Sequence, residues 1–440
     1  MLARINNFAE TLRESYWFLP TVMLAGAGGL AAGAGYLDGH HITKETAQRY
    51  WLYGGDLDAA RALLSTVGGS AITVAGTVFS ITIAALALAS SQFGPRLLRN
   101  FVRDRANQFV LGTFVATYLY CLLVQRSLTG IADGRVPHLS ITIALALGLA
   151  SLVVLVFFIH HVAAAIQAPH LAAAVAKELF TEIDELYPDP IALDVPDAAG
   201  PDADASGRSL PPHARMLIAA TDGYLQAIDE DDLLAVVVGC DAVIELLVRP
   251  GAFIVRGQPI ARLHAAAMPD ADAESQLRDA LMLGHHRTAE QDIEYSIDQL
   301  VEVCLRALSP AINDPFTAQT CVDWLGAAMS RLAGRAIPSH ERLDGAGRVR
   351  ILTRRTDFAG AMGAAFHQPR QIGTAHVSVS IRLLATLGVV ASHCRDASRR
   401  AVVRRHLDAT LAAALSRHEQ PIDVEAIRAI YDTAAGNLGS

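Results

Sequence analysis

Five hydroxyl side chains, Thr66, Ser70, Thr73, Thr77 and Ser80, recur at spacings of three and four residues in an otherwise apolar stretch. At 100° per residue they fall within about 40° of one line on a helix, and Ala84 and Ser91 continue that line. A small hydroxylated face can replace part of an ion's hydration without placing a full charge in low dielectric, which is the chemistry of a neutral permeation path. The same face also lets helices approach closely, each hydroxyl bonding back to the preceding turn. Gly69 and Gly76 serve close approach under either reading. The positions expected opposite, including Ile72, Val74, Phe79, Ile81, Ile83 and Leu86, are mostly bulky and apolar. No acid or base lies in the middle of the apolar stretches, so a proton relay has no support.

A second constellation is acidic. His286, Glu290, Glu294, Asp298 and Glu302 stand at i, i+4 on a helix expected over 285–308, opposite an apolar face of Ile293, Ile297, Leu300, Val301, Cys304, Leu305 and Leu308. With a single imidazole among carboxylates, this ladder reads as a solvated face before it reads as a metal site. The five cysteines, Cys121, Cys240, Cys304, Cys321 and Cys394, form no CxxC pair. Lysine occurs only at Lys44 and Lys177, which excludes a P-loop, and neither a GxSxG elbow nor an HExxH helix is present. No catalytic, cofactor-binding or metal-binding residue is therefore assigned, and enzyme chemistry is not expected. A net charge of −8 leaves no basic surface for nucleic acid.

These residues need elements to hold them. The chain is 52% hydrophobic, and the apolar surplus lies before about position 165. Four stretches, at about 17–37, 66–92, 107–127 and 139–162, are each long enough to cross a hydrocarbon core of about 30 Å as a helix. The loop after the second carries Arg96, Arg99, Arg103 and Arg105, and the leader carries Arg4 and Arg13, so the positive-inside rule puts both termini in the cytosol of a bacterial inner (plasma) membrane protein. Arg96, Arg99 and Arg103 would then stand at the cytosolic mouth of any path, while Asp56 and Asp58 stand outside. Tyr50, Trp51 and Tyr53 read as interfacial anchors, and Gly26, Gly28, Gly29, Gly33 and Gly35 as close helix packing in the first span.

Beyond the four-helix region 1–165, helical spacing over 166–190 reads as a stalk, and the Pro, Gly, Asp and Ala of 191–212 as a linker. Short β-type runs follow at 216–219, 225–228, 233–238, 242–248, 253–255 and 259–263. The phrase from Arg249-Pro250-Gly251 to Arg256-Gly257-Gln258 resembles the strand-turn-strand phrase of barrel-sandwich domains, although the lysine a lipoyl or biotinyl carrier needs is missing. Helical periodicity returns through 266–440. Asn313-Asp314-Pro315 turns the chain, with Asp314 or Thr317 as the cap of the next helix. The expected fold is an α-helical integral membrane protein of about four spans with an α+β cytosolic domain, which contains a small β-rich, barrel-sandwich-like module over 213–265.

Val78-Phe79-Ser80-Ile81-Thr82-Ile83, Ser90-Ser91-Gln92-Phe93-Gly94-Pro95-Arg96 and Arg306-Ala307-Leu308-Ser309-Pro310-Ala311-Ile312-Asn313-Asp314-Pro315 together resemble the bacterial predicted-membrane-protein family called domain of unknown function 2254. The resemblance implies the same plan of four spans and a cytosolic domain, and it implies no activity. The expected function is a homo-oligomeric, channel-like or transport-related protein with a regulatory or assembly domain; the alternative is a non-conducting membrane-tethered scaffold or sensor. The expected partners are the lipid bilayer, further copies of the chain and small ions, with no cofactor. A reporter that matures only in the cytosol should be active when fused to either end, and an expressed but silent C-terminal fusion would overturn the orientation.

Overall fold

The structure is a computed structural model, and it describes residues 17–40, 52–93, 105–128, 136–165, 168–189, 213–267 and 269–438. By internal packing the chain divides into two units, 1–170 and 171–440.

The first unit holds four helices long and apolar enough to cross a membrane: α1 (Phe18–His40), α2 (Leu57–Phe93), α3 (Arg105–Leu128) and α4 (His138–Ala165). Helix α3 is central, burying residues such as Val110, Phe114, Cys121 and Leu128 against its neighbours. Small residues set the crossings. A Cβ added at Gly112 would stand 2.5 Å from Met23 Sδ, one at Gly68 3.2 Å from Cys121 Cβ, and one at Gly148 3.1 Å from a Val67 methyl. Within the chain the glycines expected to pack the first span are not at its contacts: a Cβ built on Gly26, Gly28, Gly29, Gly33 or Gly35 would meet nothing within 4 Å beyond its own helix, and Ala27, Ala31 and Ala34 are the buried small residues. Helix α4 leaves Leu149, Leu152, Val153, Val156 and Ile159 60–70% exposed, an outward surface that suits hydrocarbon and not water.

One end of this bundle is locked by polar contacts. Asp38 accepts from the backbone N–H groups of Leu139 and Ser140, both at 2.9 Å, and from Ser140 Oγ at 2.6 Å, so a carboxylate from α1 satisfies orphan donors at the start of α4. Tyr120 Oη donates to the Ser140 carbonyl at 3.0 Å, and Tyr53 N donates to Thr142 Oγ1 at 2.8 Å. The expected interfacial residue Tyr53 thus bonds to a helix as well.

Most of α5 (Ala168–Leu186), which falls in the range expected as a stalk, belongs to the second unit, which continues with β1 (His213–Ile218), β2 (Gly223–Ile228), α6 (Glu230–Gly239), β3 (Ala242–Leu246), β4 (Phe253–Ile254), β5 (Pro259–Ala265), α7 (Ala271–Asp279) and β6 (Leu281–Gly284). After α8 (Ile293–Ala307) and α9 (Pro315–Ala333) come the hairpin β7 (Glu341–Leu343) and β8 (Val349–Leu352). The last helices are α10 (Phe358–Gly373), α11 (Val377–His393), α12 (Ala397–Leu415) and α13 (Pro421–Gly436). The strands make two small sheets, ordered β1-β5-β3-β8-β7 and β4-β2-β6, with β3 and β8 parallel and the other pairs antiparallel. Among the described residues two sheets, and no barrel, stand in place of the expected barrel-sandwich module, and they draw β6, β7 and β8 from beyond residue 265.

The run 233–238, expected as a strand, lies in α6. Asp229 caps it by accepting from Asp232 N, and Glu230, Asp231 and Asp232 complement the dipole of the first turn, which outweighs the β preference of three consecutive valines. Helix α11 is apolar yet has only 17 residues, and it buries Val379, Leu383, Leu384, Leu387 and Val390 completely inside the helical bundle. It is a core helix.

Both turns of the Arg249-to-Gln258 phrase are real. Ala252 N donates to the Arg249 carbonyl at 3.1 Å and Gln258 N to the Val255 carbonyl at 2.9 Å, with Gly251 and Gly257 each at φ +88° in the third turn position. Glycine there avoids the left-handed penalty on other residues. Gly251 has a second reason, since an added Cβ would stand 2.0 Å from Asp292 Oδ2. Gly257→Ala should cost about 1 kcal/mol, and Gly251→Ala clearly more, which thermal unfolding of the two variants side by side would check.

Candidate functional site

On α2, the hydroxyl face and the face buried within the unit are different. Leu64, Gly68, Ala71, Ala75, Val78, Thr82 and Ala85 are buried, a seam centred about 150° round the helix from the hydroxyl line. Thr66, Ser70, Thr73, Thr77 and Ser80 are all exposed. The seam against α3 is small because close helix approach needs small residues, so the bulky Ile72, Phe79 and Ile83 also point outward, at 41–48% exposure, and are not the packed face. Four of the hydroxyls bond back one turn. Thr66 donates to the Ala62 carbonyl at 2.8 Å, Thr73 to Gly69 at 2.8 Å, Thr77 to Thr73 at 3.2 Å and Ser80 to Gly76 at 2.9 Å. Nothing lies within 4 Å of a Cβ built on Gly69 or Gly76.

Beside the stripe, a cavity of about 270 Å³ opens between α2, α3 and α4, lined by Thr66 and Ser70 together with Thr117, Ser151 and apolar residues. Thr117 Oγ1 and Ser151 Oγ are 3.3 Å apart and buried. This pair was not singled out in the sequence, because its members come from separate helices. Of the other sequence-derived positions, the Ser91 side chain and Arg96, Arg99 and Arg103 lie outside the described residues. Asn313 takes φ +49°, and Asp314 is the cap of α9, accepting from Phe316 N and Thr317 N at 3.1 Å, with Pro315 at the first helical position. That motif is a structural turn between α8 and α9.

The acidic ladder is shorter than expected. Helix α8 starts at Ile293, so His286 and Glu290 precede it, and the expected start at 285 is corrected by strand β6 and the turns that follow. Of the remaining acids, Glu302 pairs within the helix with Arg306, and the others hold the segments that precede α8. Arg249, from the Pro-Gly turn, holds Glu294 with two bonds of 2.6 and 2.7 Å. Arg287 bridges the buried Asp292 at 2.6 Å and Asp298 at 2.7 Å. Burial pushes the Asp292 carboxyl above its ordinary range against the pull of Arg287.

Helix α5 joins this hub through Glu182. Its Oε1 accepts from Ser296 Oγ at 2.7 Å, while Oε2 is buried without a hydrogen-bond partner. Burial pushes the carboxyl up to about 8; Ser296 opposes the rise, and Glu178, Asp292 and Glu185 add to it. Two residues on, Asp184 pairs with Arg331 of α9 and with Arg335 just beyond its end, and the Arg331 hydrogen bond leads in holding its carboxyl below the usual range. Phe180 meets Trp324 of α9 with ring centroids 6.0 Å apart.

Because the folded state binds the Glu182 proton more tightly than the unfolded chain, its contribution to stability is complete below pH 4.5 and is lost as pH rises toward 8. One proton gives a slope of about 1.4 kcal/mol per pH unit across that window. Glu182→Gln should therefore gain stability over the parent as pH rises from 5 to about 8, the interval being set by that shift. Unfolding midpoints measured against pH for both proteins would show parallel curves if Glu182 titrates normally.

A family profile described as "Predicted membrane protein (DUF2254)" matches residues 13–388. Uncharacterized proteins of Mycobacterium bovis and Mycobacterium tuberculosis are each 33% identical to this chain over 420 residues, covering 94% of it and 79% of their own length. No solved structure matches. The match spans all four apolar helices and both small sheets, and the chain belongs to the predicted membrane protein family DUF2254.

Proposed function

We propose that the chain assembles as a homo-oligomer in the bacterial inner membrane, with the hydroxyl face of α2 from each copy turned toward a common axis as a channel-like path. The observation that carries this reading is that Thr66, Ser70, Thr73, Thr77 and Ser80 are left uncovered by the chain's own helices, while Gly69 and Gly76 beside them are open. Facing lipid, small hydroxylated positions gain nothing over the bulky residues nearby. Facing a second copy, they allow close approach and offer oxygens to a passing ion.

Both termini are cytosolic in this reading, and residues 171–440 form a regulatory or assembly domain on that side. Arg99 and Arg103 at the cytosolic mouth favour anions, whereas the exposed Asp56 and Asp58 at the other end attract cations; screening within about 8 Å at physiological salt confines both effects. Local attraction at the cytosolic mouth inclines the path to anions. A second reading, a non-conducting scaffold or sensor, is favoured by the back-bonds of Thr66, Thr73, Thr77 and Ser80, which satisfy those hydroxyls without water. Neither reading assigns catalysis or a cofactor.

Purified protein in liposomes should pass small ions. Thr77→Leu should reduce that flux several-fold without changing the unfolding midpoint, and Phe79→Leu should leave it near the parent's. Vesicles that stay tight at every voltage, tension and pH, or variants that conduct alike, would hand the assignment to the scaffold.

A further inference from the structure

Within the second unit, one pocket gathers three guanidinium groups against a single carboxylate: Arg249, Arg354 and Arg355 line it with Glu230, and Tyr187 and Gln291 complete the wall. Arg249 is committed to Glu294, and Arg355 donates to Glu230, which also pairs with Arg342. Arg354 is different. It is exposed and makes no ion pair or side-chain hydrogen bond among the described residues. Arg355 Nε is buried and has no acceptor there. With Arg249 neutralised by Glu294 and Glu230 shared between Arg355 and Arg342, the wall keeps an excess of positive charge and two guanidiniums with donors to spare.

We propose that this pocket binds a phosphoryl group, with Arg354 and Arg355 as its principal donors. A phosphoryl group offers more oxygens than a carboxylate, so both arginines can bond to it at once, and planar guanidiniums suit such oxyanions through paired N–H bonds. The enclosed volume, about 30 Å³, admits roughly two water-sized atoms, so only the leading oxygens of one phosphoryl group are enclosed and the rest of any larger molecule stays in solvent. Nucleobases and acyl chains find no cavity here.

Location gives binding a structural effect. Leu186 and Tyr187, the end of α5, line the same pocket, and Tyr187 Oη donates to the Thr356 carbonyl at 2.8 Å, next to Arg354 and Arg355. An anion bridging these arginines braces the segment that holds the end of α5. A soluble phosphate and a lipid headgroup both carry this chemistry, and the test below separates the two sources.

The test is a titration of the full-length protein, in discs of neutral lipid, with inorganic phosphate and pyrophosphate, read by the unfolding midpoint against sodium chloride at matched ionic strength. The expected result is a saturable rise with phosphate and pyrophosphate alone. Arg354→Gln, at an exposed and unpaired position, should keep the parent midpoint without phosphate and weaken the response at least tenfold, and Arg354→Lys should retain part of it. A shift that merely follows ionic strength, or Arg354→Gln and Arg355→Gln proteins that titrate like the parent, would overturn the site. Discs of anionic phospholipid separate the sources: stabilisation there that depends on Arg354 and abolishes the phosphate response assigns the phosphoryl group to a headgroup, and an unchanged phosphate response assigns it to a soluble anion.

Discussion

In hydrocarbon, a polar group that cannot reach water must find its partner in the protein, and the first unit is organised around that constraint. Thr66, Thr73, Thr77 and Ser80 return their hydroxyls to their own helix, Thr117 meets Ser151, and Asp38 closes the start of α4. With these groups satisfied, small residues are free to set how closely the helices approach, and the Gly68 to Ala85 seam of α2 closes on α3. The hydroxyl line is left on the other side of the helix. It lies outside the seam that packs this unit, and its proposed role is therefore one between copies.

The second unit handles charge in the opposite way, by pairing it at the joints between elements. Two carboxylates on α5 show how local the outcome is. Asp184 meets two arginines and stays ionised, whereas Glu182 meets a serine and apolar packing, and burial raises its proton affinity. Arg249 ties a sheet turn to α8 through Glu294, and Gly251 in the same turn leaves just enough room for Asp292. Helix α5, the sheets and α8 therefore share one hub, in which a change of charge at any member is felt by the others.

Much of this was legible in residue patterns. The four spans, the late helices and the two glycine turns followed from period, length and turn chemistry, because each is decided by neighbours in sequence. The strand expected at 233–238 is a helix because a run of valines carries the same signal in a buried helix as in a strand, and the acids of 230–232 at the first turn decide for the helix. The helix expected from 285 started late since β6 claims the preceding segment for pairing with β2. The arginine pocket, the Thr117–Ser151 pair and the buried Glu182 were invisible for a common reason: each depends on residues brought together from distant parts of the chain.

The central claim, that the hydroxyl face of α2 meets its counterpart in another copy, is tested most directly by cysteine cross-linking in native membranes, with the five natural cysteines replaced. Thr73→Cys and Ser80→Cys should give cross-linked oligomers under mild oxidation, while Ile72→Cys and Phe79→Cys, exposed on the same helix but turned away, should stay largely monomeric. Equal cross-linking at all four positions, or none at Thr73 and Ser80 in well-expressed protein, would contradict the account.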